Sequence, residues 1–168
     1  IEREYEIELI TPMFGGGAEA GKPDEDFPIR PTAIRGQLEF WWRATAGAKY
    51  QSLADLRKRQ SEIWGSTEAA SRVVVRVEDV KCQDPLPCAE YEPDRNNREK
   101  LRATPQWQPP FARTSLPYAL FPFQGQLSSD RTTVEVKPAR FIPGGRFRLV
   151  LSYPKELQQD VDMSLWAW

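Results

Sequence analysis

Ile29-Arg-Pro-Thr-Ala-Ile-Arg-Gly-Gln-Leu-Glu-Phe-Trp-Trp-Arg-Ala-Thr-Ala-Gly47 is the stretch whose reading decides the rest of the chain. It predicts one helix. Pro31 suits a first helical turn, Thr32 is placed to cap it, and Gly47 is a natural stop. Ile34, Leu38, Trp41 or Trp42 and Thr45 recur at helical spacing and make a broad apolar face. Arg35, Glu39 and Arg43 fall on a second face, which by itself reads as a solvated stripe with ion pairs worth about 0.2–0.5 kcal/mol each. Neighbouring tryptophans stand about 100° apart on a helix, so one of Trp41 and Trp42 belongs to the core and the other is free for a partner subunit or a base.

Upstream, Thr11-Pro-Met-Phe-Gly-Gly-Gly17 carries a predicted strand into a glycine loop that eventually delivers the chain to the helix start. Backbone N–H groups of Gly15, Gly16 and Gly17 and of the first helical turn are free to face a phosphate, and the positive end of the helix dipole favours an anion. The glycines fit neither the Walker loop, which needs Gly-Lys-Ser/Thr, nor the dinucleotide fingerprint. No cofactor is implied.

The run T-P-M-F-G-G-G followed by I-R-P-T-A-I-R-G-Q-L-E-F-W-W-R resembles the N-terminal signature of a RAMP-superfamily family, the subunits numbered one in Cmr (type III-B) CRISPR effector complexes. Weaker similarity extends through Tyr118-Ala-Leu-Phe121 and Phe141-Ile-Pro-Gly-Gly-Arg-Phe147 to Ser164-Leu-Trp166. In the wider superfamily the same helix start is a Ser-x-x-Lys/Arg-Gly element that holds guide RNA backbone. The resemblance places that role on Thr32, Arg35 and Gly36, and implies other Cmr-type effector subunits as partners.

Composition limits the alternatives. A chain of 168 residues with 40% hydrophobic content supports one domain with a core. Net charge is −1 and the pI is near 5.7, so an RNA site has to be a local patch. There is no histidine, which excludes a histidine-dependent ribonuclease. No apolar run is long enough for a membrane span, and Ile1-Glu-Arg-Glu-Tyr-Glu6 is a charged strand rather than a signal peptide, so a cytoplasmic location is expected. Cys82 and Cys88 match no zinc or redox spacing.

In chain order, residues 3–10 alternate as a strand with one wet face, residues 18–28 form an exposed acidic loop, and residues 50–64 suit a second helix ending at Gly65. Arg72–Val80 reads as the clearest core strand, with Val73, Val75 and Val77 on one face. From Lys81 to Pro117 there are seven prolines and almost no periodicity, which predicts an irregular insertion, and residues 84–112 are expected to be cut readily by proteases. Short strands are expected at 118–123 and 132–136, a half-buried strand at 146–153, and a helix over 155–168 with Leu157, Val161 and Leu165 as its seam. That order fits an α+β, ferredoxin-like (RRM-like) βαββαβ domain spanning residues 1–168, with its insertion at about 81–117 and its last strand beyond Trp168.

A second basic cluster, Lys137-Pro-Ala-Arg-Phe-Ile-Pro-Gly-Gly-Arg-Phe-Arg148, has four cations and no acid. Arg140 and Arg146 are its candidates for RNA, while Phe147 fits the alternation of the next strand and points inward. Arg30 and Arg43 complete the basic candidates on and beside the first helix. Asp24, Glu25 and Asp26 form the one carboxylate cluster near the glycine loop, and could hold Mg²⁺ for phosphodiester cleavage. The expectation is a non-catalytic subunit that binds single-stranded RNA, guide or target. A metal-dependent endoribonuclease and a pure protein-interaction module are the alternatives.

Overall fold

The computed structural model describes residues 1–14, 16–105 and 123–168. The elements are β1 (Glu2–Leu9), α1 (Pro31–Ala44), α2 (Leu53–Trp64), β2 (Val74–Cys82), β3 (Leu86–Pro87), β4 (Ala89–Pro93), β5 (Leu101–Pro105), β6 (Gln126–Leu127), β7 (Val134–Val136), β8 (Arg140–Phe141), β9 (Gly145–Ser152) and α3 (Gln158–Ala167). The chain divides into two compact units, one made of 1–8, 29–81 and 146–168, the other of 9–28 and 82–145. The predicted strand at 118–123 lies outside the described residues except for Phe123.

The first unit is a three-stranded sheet in the order β1-β9-β2. Ile1 and Tyr153 exchange both backbone hydrogen bonds, at 2.9 and 3.0 Å, so β1 and β9 run antiparallel. Strand alternation then sorts the side chains. Phe147, Leu149 and Leu151 are buried, as is Val73 just before β2. Central place belongs to β9 rather than to the valine-rich strand, because β2 is an edge strand whose Val74 is 50% exposed.

Helix α1 buries Ile34, Leu38 and Trp42, and packs against α2 and α3. Trp42 is fully buried and Trp41 half-buried, which settles which tryptophan is core. The Trp42 indole N–H donates to Asp160 Oδ1 at 2.8 Å, and Arg59 lies 3.4 Å from Oδ2 of the same carboxylate. Leu157 and Val161 are buried as the seam predicted, whereas Leu165 is half-buried and Ser164, donating to the Asp160 carbonyl at 2.7 Å, takes the inner position. Gly47 is not the helix stop. The helix ends at Ala44, and Gly47 sits buried in a 3₁₀ turn where a Cβ would lie 3.0 Å from both Leu56 Cδ1 and the Trp42 carbonyl oxygen. Its missing side chain is what lets the turn after α1 close onto α2.

The second unit holds three small antiparallel pairs, β3 with β8, β4 with β5 and β6 with β7. Among the described residues, Phe141, Ile142, Cys88 and Ala89 are buried apolar residues of this unit, and Phe14 stacks tilted on Phe123 and Phe141 at 4.9 and 5.8 Å. Burial raises the Cys88 thiol to about 11, which makes it a poor thiolate, and both cysteines are free. The expected irregular insertion needs correction over its described residues. Ala89–Pro93 and Leu101–Pro105 pair along five residues each, because Tyr91 and Ala103 face each other in the ladder and Arg102 ion-pairs with Glu92. The prolines fall at the strand ends, where the lost donor is harmless.

Limited trypsin digestion should therefore cut first, among the described residues of this stretch, after Arg95, Arg98 and Lys100 in the exposed connection. Arg102, paired and half-buried, should be spared until the hairpin opens. Early cleavage after Arg102 would show that the hairpin is not a stable ladder.

Candidate nucleic-acid interface

Proline sets the start of α1. With Pro31 in the first helical position, the residue before it is held extended, and Arg30 becomes the N-cap with φ −101° and ψ 129°. Its carbonyl accepts from Ala33 and Ile34 at 3.0 and 3.2 Å. Thr32 is therefore two residues too late to cap, and the helix has no side-chain cap. Its hydroxyl is left at the surface.

Thr32 and Arg35 lie side by side in a groove of about 250 Å³, whose other wall is Ser71 with Val73, Val74 and Val75 and whose end is Pro31. Arg35 is half-buried and has no hydrogen-bond or ion-pair partner among the described residues. Glu39, its expected neighbour in the polar stripe, is engaged elsewhere. It accepts from Gln60 and lies 3.7 Å from Arg43. A guanidinium beside aliphatic walls, with no acid of its own, offers a planar fork to an oxyanion at little desolvation cost beyond that already incurred. Gly36, on the exposed side of the same turn, has open space where a Cβ would stand.

The other candidates are held differently. Gly15 lies outside the described residues, and Gly16 is exposed. Gly17 spends its N–H on the Lys22 carbonyl at 3.0 Å, so that donor closes a turn. Arg30 is exposed at the cap, and Arg43 combines its contact to Glu39 with a position 5.7 Å over the Phe40 ring. Arg140 donates to the Pro85 carbonyl, tying β8 to the residue before β3, and Arg146 pairs with Glu8 at 3.3 Å. Gly16, Gly17 and Arg140 belong to the second unit, and Arg30, Thr32, Arg35, Gly36, Arg43 and Arg146 to the first. Ser71 and Val73–Val75 were not foreseen as lining. No spacing in the sequence joins residues 31–35 to 71–75, since sheet and helix bring them together.

Asp24 accepts from the Phe27 N–H at 2.9 Å in a local turn, while Glu25 and Asp26 are exposed. Among the described residues, no three His, Cys, Asp or Glu side chains are grouped to hold a metal ion.

The open face of the first unit's sheet is a second surface to consider, because RRM-like sheets stack bases on exposed aromatics. Here six carboxylates, Glu2, Glu4, Glu6, Glu8, Glu78 and Asp79, stand against three guanidiniums, Arg76, Arg146 and Arg148. Arg148 alone meets Glu4, Glu78 and Asp79 at 3.4, 3.0 and 2.9 Å, and Arg76 meets Glu2 at 3.2 Å. Its alternating positions carry no aromatic residue. An excess of negative charge repels phosphate, so the groove beside α1 is the better candidate.

Residues 6–168 match the family described as the RAMP superfamily. The chain is 37% identical over 83 residues to CRISPR system Cmr subunit Cmr1-2 of Pyrococcus furiosus, covering 48% of this chain and 42% of the relative. It is 28% identical over 166 residues to Cmr1-1 of the same organism, covering 98% of this chain and 41% of the relative. The crystal structure of Cmr1 from Pyrococcus furiosus in its apo form is similar with a TM-score of 0.54 and 25% identity, over 99% of this chain and 43% of that one. The chain thus spans about two fifths of the length of these relatives. Among the described residues no helix is long and apolar enough to cross a membrane.

Proposed function

The chain belongs to the RAMP superfamily, and from that premise we propose that it is a non-catalytic subunit of a Cmr-type CRISPR ribonucleoprotein that holds the backbone of single-stranded RNA in the groove beside α1. The observation that carries this reading is Arg35, a half-buried cation without an acid partner among the described residues, in one groove with Thr32. A phosphate there would receive a bidentate, charge-assisted pair from Arg35 and a hydroxyl from Thr32. Arg30 and Gly36 lie at the same helix start. Contacts to backbone alone position a strand without reading its sequence, which suits a subunit that serves many guides.

A ferredoxin-like reading of the first unit is supported by its connectivity, with β9 between β1 and β2, α1 following β1 and α3 following β9. The partners are the neighbouring Cmr-type subunits and the guide or target strand.

The test is photocrosslinking of the assembled complex to labelled guide and target RNA, followed by peptide mapping. Adducts on peptides containing Thr32–Arg35 and Ser71–Val75 are expected. Adducts confined to other subunits would overturn the reading, and RNA cleavage abolished by Asp24→Asn with RNA still bound would replace it with a nuclease.

A further inference from the structure

We infer that the second unit carries its own RNA subsite, a cleft that seats one phosphate-bearing nucleotide of a single strand between the β4–β5 and β6–β7 hairpins. The cleft measures about 480 Å³ and is lined by Tyr91, Arg102, Gln124, Gln126, Leu127 and Arg131, with Gly125 at its back. That volume suits a single nucleotide, and the mixture of apolar floor and few convergent polar groups is what small-ligand sites present.

Three features fix the cleft in advance of any ligand. The two hairpins are tied at both ends, by the Tyr91 hydroxyl donating to the Gln124 carbonyl at 2.5 Å and by the Leu101 N–H donating to the Arg131 carbonyl at 2.8 Å. Gly125, at φ 82°, is held where a Cβ would lie 2.3 Å from the Val136 carbonyl oxygen and 2.6 Å from the Tyr91 hydroxyl. Any side chain there would fill the wall and push the hairpins apart. Arg131 is in the left-handed region at φ 63°, a conformation an arginine rarely adopts. Asp130 holds that turn by accepting from the Ser128 hydroxyl and from the backbone N–H and hydroxyl of Thr132, at 2.5, 3.1 and 2.9 Å.

Charge then orients the ligand. Arg102 is already paired with Glu92, whereas Arg131, whose charge helps hold the Asp94 carboxyl below its usual range, is within ion-pair distance of no acid among the described residues and is exposed at the mouth. Arg131 is thus the phosphate contact. Gln126 is exposed, and its side-chain amide, which has no hydrogen bond among the described residues, offers both donor and acceptor to a base edge. The site uses residues distinct from the groove beside α1, so each serves as the control for the other.

Full-length protein would be titrated with labelled single-stranded RNA and, separately, with 5′-AMP, and photocrosslinked to the RNA. Arg131→Asn removes the charge while keeping a residue that tolerates the left-handed turn. It should lower RNA affinity about tenfold or more, as loss of a hydrogen bond to a charged group does, with unchanged thermal melting. Crosslinks to the 124–131 peptide should vanish while those near Arg35 persist, and Arg131→Lys should recover part of the affinity. Wild-type RNA affinity in Arg131→Asn overturns the subsite and leaves the α1 groove untouched. Loss of 5′-AMP binding with RNA binding intact would also overturn it, by showing a free-nucleotide pocket. A fall in RNA affinity for Arg131→Asn with none for Arg35→Ala supports this subsite and overturns the other.

Discussion

Trp42→Ala should destabilise the chain by about 3–5 kcal/mol, the range for emptying a buried aromatic site, and lower the melting temperature by roughly 6–20 °C for a chain of this size. Two losses combine. The indole is fully buried against α3 and the turn after α1, so its removal leaves a cavity that the close approach of Gly47 cannot collapse. It also takes away the donor that Asp160 accepts at 2.8 Å. Trp42→Phe should retain most of the packing and show the polar part alone, about 1–3 kcal/mol for a buried group left unpaired. Trp41→Ala, on the half-buried neighbour, should cost far less. Calorimetry of the three variants checks the order, and equal losses for Trp41→Ala and Trp42→Ala would mean that α1 is rotated from the orientation described.

Arg35→Ala should weaken single-stranded RNA binding by about 1–3 kcal/mol whatever the sequence, since it removes a charge-assisted phosphate contact. The slope of log affinity against log salt should fall by about 0.7 for one fewer single-strand phosphate. Folding should be little changed. Glu39 is taken by Gln60 and Arg43, so among the described residues no intramolecular ion pair is lost with Arg35. Arg35→Lys should recover only part, as a point charge lacks the fork. Normal RNA affinity with an earlier melt would make the residue scaffold and remove the basis of the proposed function.

Much of this is legible in the amino-acid sequence. Period-two alternation located β1 and β9, and Phe147 points inward as that pattern requires. The central helix and its apolar positions followed from spacing. What spacing could not show was partnership. Asp160 reads as an ordinary acid on a helix, yet it closes the Trp42–Arg59 network from more than a hundred residues away. Arg140 and Arg146 read as free cations, and their partners, the Pro85 carbonyl and Glu8, stand 55 and 138 residues away. The β4–β5 hairpin was hidden for a different reason, since its strands are only five residues long each and the prolines at their ends read as breaks.

The division of the chain into units has a consequence for how the protein is made. The first unit is assembled from three separate segments and the second is interleaved with it, so the polypeptide passes from one to the other at residues 8–9, 28–29, 81–82 and 145–146. Synthesis is vectorial, and β9, the middle strand of the first unit, leaves the ribosome after every segment of the second unit. Until it arrives, β1 and β2 have no strand to pair with, while the second unit already has all of its segments. At about 5–20 residues per second the nascent chain waits several seconds with two orphaned strand edges. In β1 these edges carry a glutamate at every second position, and in β2 they carry Arg76, Glu78, Asp79 and Lys81. The charges that make the finished sheet a poor platform for RNA thus guard the unfinished one against pairing with another nascent chain.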